Sequence, residues 1–144
     1  MRITHRTDYA IHLLADLSES PDKPLGLRKL AEKHNVTYAF ARTVQQGLLK
    51  AGIVTSARGI NGGIMLAKPL NKISLLDVFE AAQNPLEHAF TRDDAPWHDR
   101  KGHKVSKDVW RSTKSTLGDH LSAIKMNQVL KPEPAKRAKT AKKK

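Results

Sequence analysis

Cysteine is absent from the 144 residues. That excludes a disulfide framework, a thiolate zinc site, a catalytic thiol and an ordinary cysteine-ligated iron–sulfur cluster. Aromatic residues are scarce at 5%, so the core has few large anchors and single-stranded nucleic acid would find few stacking platforms. No apolar run approaches the roughly 20 residues of a spanning helix. Met1-Arg2-Ile3-Thr4-His5-Arg6-Thr7-Asp8 lacks the charged-then-apolar order of a secretory signal, so a cytoplasmic protein with no membrane partner is expected. Enzyme signatures are missing too: there is no phosphate-binding glycine loop, no Gly-x-Ser-x-Gly elbow and no His-Glu-x-x-His. Asp93-Asp94, in a basic polar stretch, is a weak acid–base pair, and the chain is read as not an enzyme.

What the chain has is positive charge, and its placement is uneven. The formal net charge is +12. Residues 1–72 hold 11 Lys/Arg against 5 Asp/Glu, residues 73–130 hold 8 against 8, and residues 131–144 hold 7 against 1. A polyanion partner explains basic ends, because each cation set on a phosphate releases counterions. Solubility alone is the competing explanation for the tail.

Hydrophobic periodicity then divides the chain. Ala10, Leu13, Leu14 and Leu17 recur at helical spacing, with Asp8, His12 and Asp16 on another face. Glu19-Ser20-Pro21-Asp22-Lys23-Pro24 breaks that helix, and Leu27, Leu30 and Ala31 mark a short second one that stops near His34-Asn35. Thr37 is placed to cap a third helix over 38–51, whose apolar stripe is Phe40, Ala41, Val44, Leu48 and Ala51 and whose stop is Gly52. Two helices joined by so short a turn have helix-turn-helix spacing. The β-rich runs 53–57 and 64–67 follow, joined through Asn61-Gly62, a pair suited to a tight primed turn with both residues at positive φ. This hairpin is a wing.

Ser74 with Asp77 three residues on forms a capping box for a fourth helix, flanked by Ile73 and Val78 as a hydrophobic staple. Asn84-Pro85 ends it. Residues 86–104 read as a polar loop, and Val105, Val109, Thr113, Leu117, Leu121 and Ile124 then mark one long helix over 105–130. With no following element to cover its narrow stripe, that helix is expected to pair with a second copy of itself. Residues 131–144, rich in lysine and poor in apolar residues, read as a disordered tail. The expected class is therefore mainly α: a winged helix-turn-helix domain over 1–85 with a two-stranded β wing, then the loop, a dimerisation helix and the tail.

Roles follow from that frame. Tyr38, Ala39, Arg42, Thr43, Gln45 and Gln46 lie opposite the apolar stripe of the third helix, where Arg42 can fork to guanine and a glutamine can pair with adenine in the major groove of double-stranded DNA. Arg58 beside Gly59, with Asn61 at the turn, is placed for the minor groove. Lys29, Lys50 and Lys68 are candidate phosphate contacts, and so are Arg2 and Arg6. A basic RNA-binding or ribosome-associated protein driven by its Lys-rich tail is the alternative.

The runs Met1-Arg2-Ile3-Thr4, Thr7-Asp8-Tyr9-Ala10, Leu49-Lys50-Ala51-Gly52-Ile53-Val54, Arg58-Gly59-Ile60-Asn61-Gly62-Gly63 and Ile73-Ser74-Leu75-Leu76-Asp77-Val78 stand in this order. So does Leu30-Ala31 with Val36-Thr37. Together they make the chain resemble the IscR/NsrR-like, Rrf-type family of bacterial winged helix-turn-helix transcriptional regulators. The likeness covers residues 1–82 well and the long helix loosely. It implies a homodimeric regulator, often a repressor, that reads a palindromic operator with the third helix in the major groove and Arg58 in the minor groove. It also sets Thr37, Tyr38, Ala39 and Arg42 at DNA-facing positions. Several members carry an acidic or small residue where Arg42 stands, so the operator should differ. Many members hold an iron–sulfur cluster on three cysteines before the dimerisation helix, some with a first-helix acidic residue or histidine as a further ligand. Here that stretch offers His88, His98 and His103 with Asp93, Asp94 and Asp99, and Asp8 and His12 stand on the first helix with His34 on the second. Without thiolates the expectation is no cluster, no cofactor and no bound metal, with Asp8 and His12 an ordinary surface pair.

Overall fold

The computed structural model of the protein describes residues 4–83, residue 86 and residues 101–130, and of residues 101 and 103 the backbone alone. Its elements are α1 (His5–Glu19), α2 (Leu27–Lys33), α3 (Tyr38–Lys50), β1 (Val54–Ala57), β2 (Gly63–Leu66), a 3-10 turn (Leu70–Lys72), α4 (Leu75–Ala82), α5 (Lys101–Ala123) and α6 (Met126–Val129). This is the expected mainly helical, winged architecture.

Helix ends follow from local chemistry. Asn35 takes φ 53°, and Asn35 N and Val36 N donate to the Glu32 and Ala31 carbonyls. This is a Schellman stop with asparagine at the left-handed position. Gly52 at φ 63° repeats the device after α3, with Gly52 N donating to Leu49 and Ile53 N to Leu48. Ser74 and Asp77 close the expected capping box on α4, with Asp77 N donating to Ser74 Oγ at 3.1 Å and Ser74 N to Asp77 Oδ2 at 2.8 Å.

The core gathers Leu13, Leu14, Leu17, Val44, Leu48, Ile53, Ile64, Ile73, Val78 and Met126, all fully buried. Each such side chain contributes roughly 1.5–3 kcal/mol. Of the expected α3 stripe, Ala41, Val44 and Leu48 are buried, Phe40 is half-buried and Ala51 is exposed beyond the helix end. Gly47 lets α3 meet α4 closely, since a Cβ there would collide with the Ala81 carbonyl. A mid-helix glycine costs about 1 kcal/mol against alanine, so close approach explains its presence.

Several expectations need correction. Asp16, read with Asp8 and His12 as a polar face, is buried at 8% exposure. The wing turn is not a primed turn on Asn61-Gly62, because neither residue has positive φ; Gly59 does, at 113°. Five residues, Arg58 to Gly62, separate the strands, and a hydrogen bond from Gly62 N to Gly59 O closes the loop. That length places the left-handed residue at its start.

The long helix begins at Lys101, four residues before its apolar periodicity, because helix propagation does not require an apolar face. It also stops at Ala123 instead of running to 130. Leu75 N donates to Ile124 O and Met126 N to Ile73 O, so residues 124–126 pair with the chain entering α4 and then turn into α6. The C-terminal part of the stripe therefore packs on its own winged domain, with Leu117, Leu121 and Ile124 half-buried and Met126 fully buried. Val105 and Val109 stay exposed. Of the expected loop 86–104, Leu86 is buried and its N–H donates to Glu80 Oε1, residues 101–104 are helical, and residues 87–100 lie outside the described residues with the tail 131–144.

Candidate nucleic-acid interface

The packing of α3 decides which of its side chains reach outward. With Ala41, Val44 and Leu48 held inward, Tyr38, Ala39, Arg42, Thr43, Gln46 and Lys50 are all exposed, and Thr37 is exposed at the N-cap. Positions 39, 42, 43, 46 and 50 recur at three and four residues, so they form one stripe. Gln45 is half-buried at its edge. Thr37 Oγ1 accepts from Phe40 N at 3.2 Å, which leaves its hydroxyl proton free to donate outward. Thr43 Oγ1 instead donates to the Ala39 carbonyl at 3.0 Å, so its hydroxyl is left to accept.

Tyr38 has a partner that sequence reading missed. The Arg28 guanidinium carbon lies 5.2 Å from the centroid of the Tyr38 ring, so α2 braces the first residue of α3 through a cation–π contact. Arg28 and Lys29 are both exposed on α2. Only the turn geometry puts Arg28 over the ring; in the sequence it is one more surface cation.

The wing is anchored beside its loop. Register pairs Val54 with Leu66, Thr55 with Met65, Ser56 with Ile64 and Ala57 with Gly63. Leu25 adds a further antiparallel partner, since Leu25 N donates to Ile64 O and Ile64 N to Leu25 O, each at 2.9 Å. A Cβ at Gly63 would strike the Leu25 carbonyl, so this approach requires glycine. Arg58, Gly59 and Asn61 are exposed at the far end, while Lys68 is half-buried beyond β2. Arg6 is exposed on α1, and Arg2 lies outside the described residues.

Beneath these groups a partly buried ionic contact ties α1 to the helix-turn-helix. Asp16 Oδ1 accepts from Lys33 Nζ and its Oδ2 from His34 Nε2, each at 2.6 Å. Burial alone would raise the carboxyl, but the Lys33 and His34 hydrogen bonds outweigh it and hold Asp16 below the ordinary carboxylate value. An ionised carboxylate only accepts, so His34 carries its proton on Nε2. Tyr9 packs edge-on to His34 and tilted against Phe40, with centroids 5.7 and 5.6 Å away. Burial, and then the Asp16 charge, push its phenol upward.

Asp8 and His12 form a loose pair at 3.8 Å, both more than half exposed on α1. His12 also lies 5.4 Å from the His34 ring, yet no group of three or more His, Asp or Glu side chains among the described residues is placed to hold a metal. His88, His98, Asp93, Asp94 and Asp99 lie outside the described residues, as does the His103 side chain. Among the described residues, no helix is long and apolar enough to cross a membrane.

Known proteins share this fold. The family Rrf2, described as an iron-dependent transcriptional regulator, matches residues 3–132. The transcriptional regulator NsrR of Halalkalibacterium halodurans is 34% identical over 88 residues, covering 60% of each protein. IscR of Pectobacterium carotovorum is 25% identical over 133 residues, covering 90% of this chain and 79% of that one. CymR, the global cysteine regulator of B. subtilis, shares the fold with a TM-score of 0.68 at 18% identity, over 90% of this chain and 96% of its own. Among the described residues, no donor set for the family's iron is brought together. Thiolates are absent, and Asp16 and His34 bond to one another and not to an open site. With its winged fold and a match spanning nearly its whole length, the chain belongs to the Rrf2 family of transcriptional regulators and is not an enzyme.

Proposed function

We propose that the protein is a homodimeric, sequence-specific repressor that reads a palindromic operator in double-stranded DNA, with α3 in the major groove and the wing at 58–63 in the minor groove. One observation carries this reading: the exposed stripe of Ala39, Arg42, Thr43, Gln46 and Lys50, with Tyr38 at its edge, shares its outward direction with no core residue of α3, and Thr37 is exposed at the N-cap. Arg42 supplies the fork for guanine O6 and N7, and Gln46 the amide for adenine. Thr37 and Thr43 place hydroxyls beside them, Ala39 offers a methyl to thymine, and Tyr38 with Arg28 meets the backbone at the helix start. Lys29 and Lys50, with Arg2 and Arg6 at the N-terminus, hold phosphates and carry no sequence information. Gly59 gives Arg58 and Asn61 access to the minor groove. Residues 1–85 form the reading unit, and the α5 face with Val105 and Val109 joins two copies so that the α3 helices sit about 34 Å apart. The tail 131–144 adds sequence-independent attraction.

The test is duplex binding by the full chain. Arg42→Ala is expected to relax preference at one base pair by about 1–3 kcal/mol, whereas Lys50→Ala weakens all duplexes alike and lowers the salt slope by about 1. An Arg42→Ala protein with unchanged affinity and preference sinks the assignment of α3. Deleting residues 131–144 should leave the preference intact; loss of nearly all binding would favour the tail-driven, RNA-binding alternative.

A further inference from the structure

Ile60 is the most exposed large hydrophobic side chain among the described residues, at 105% of its reference area, and it stands at the wing tip between Arg58 and Asn61. The other exposed ones have local settings: Tyr38 lies under Arg28, and Val105, Val109, Trp110 and Val129 sit on the C-terminal helices. The loop that presents Ile60 is closed by the bond from Gly62 N to Gly59 O at 3.0 Å. A Cβ at Gly62 would come within 2.5 Å of the Ala57 carbonyl oxygen. The loop is therefore compact, and its base is bonded to Leu25 through Ile64. A compact loop holds Ile60 away from the body instead of letting it fold back onto the core.

We propose that Ile60 is a second reading group of the wing, one that admits A·T pairs and excludes the guanine 2-amino group from the minor groove beneath it. This rests on the duplex-reading function proposed above. The minor groove shows acceptors at every pair, and guanine alone adds a protruding amino donor. Arg58 brings the wing to that groove by charge. Pressed against its floor, the Ile60 side chain has no atom to accept from the amino group, so a G·C pair loses water from a donor and gains nothing. Over A·T the same side chain meets sugar carbons and a floor free of donors, and its burial is favourable. Asn61 carries both a donor and an acceptor and so tolerates either pair. Discrimination against G·C falls on Ile60.

The experiment begins with selection of duplexes from a random pool by the full chain. Base pairs beneath the wing are then changed singly from A·T to G·C or to inosine·C, which lacks the amino group. The wild-type protein should bind the G·C duplex about 10- to 100-fold more weakly and recover with inosine·C. In Ile60→Ser, whose hydroxyl can accept from the amino group, the penalty should fall below about threefold, with melting temperature and preference beneath α3 unchanged. A full penalty in Ile60→Ser, as expected if Arg58 alone senses groove width, overturns the proposal while leaving the regulator reading intact. An inosine·C duplex that binds as poorly as G·C does the same. A pool that yields no enriched duplex overturns both.

Discussion

Asp16 shows how one carboxylate can brace the proposed reading surface without touching it. It sits on α1 at 8% exposure and receives Lys33 and His34 from the end of α2, where the turn into α3 begins. Asp16→Asn keeps the shape, but it removes the charge and turns an amide donor toward one of two donors. Roughly 1–3 kcal/mol of stability should be lost, most of it from the partly buried His34 contact, because Lys33 is 57% exposed and its share is screened by solvent. The pH dependence has a definite sign. The folded carboxyl lies below its ordinary value of 3.8, so its stabilisation is complete above that pH and is lost as pH falls through the lowered folded value. Urea melts at pH 7 and near pH 3 should show the wild-type advantage over Asp16→Asn shrinking in acid. An equal gap at both would remove this account.

At the scale of elements, α3 is held between two requirements: an outward stripe, proposed for DNA contact, and an inward face close enough to α4 that only glycine fits at 47. Gly47→Ala raises helix propensity by about 1 kcal/mol yet places a methyl against the Ala81 carbonyl, and net destabilisation of about 1–3 kcal/mol or more is expected in thermal melts. A stabilised variant would show that the helices separate freely. The same contrast explains what could be read in the sequence. The stops at Asn35 and Gly52, the Ser74–Asp77 box, the Thr37 cap and the stripe from Tyr38 to Lys50 are set by neighbours within one or two turns, so their signals are local and legible. Gly47 against Ala81, Leu25 against Ile64 and Arg28 over Tyr38 arise only when distant or differently oriented segments meet. Asp16 misled for that reason: its spacing from Asp8 and His12 matched a solvated face, and its partner His34 lies 18 residues on. The wing was legible as a hairpin, but the turn chemistry of Asn61-Gly62 was outweighed by a five-residue connection.

For the whole molecule, the consequential segment is the return of the chain after α5. Periodicity located the helix but not its end, because residues 123–126 contain neither glycine nor proline; two main-chain bonds to Ile73 and Leu75 end it instead. The proposed dimer can be tested where the helix remains exposed. Val105→Asp with Val109→Asp should give a monomer by sedimentation, leave the melt of the winged unit nearly unchanged, and weaken a full palindrome by at least about 100-fold as two-site binding is lost. A double variant that still sediments as a dimer would place the pairing elsewhere.

The clasp at Ile124 and Met126 gives the proposed dimer a mechanical property. A shaft fastened by main chain at two points is tied directly to the frame carrying α3. Torque applied along α5 would be delivered to α4, and across the glycine gap at 47 to α3. Two such shafts laid side by side would then set the pitch between half-sites as gears set a ratio, and a small rotation of one against the other would put both helices out of step with the groove.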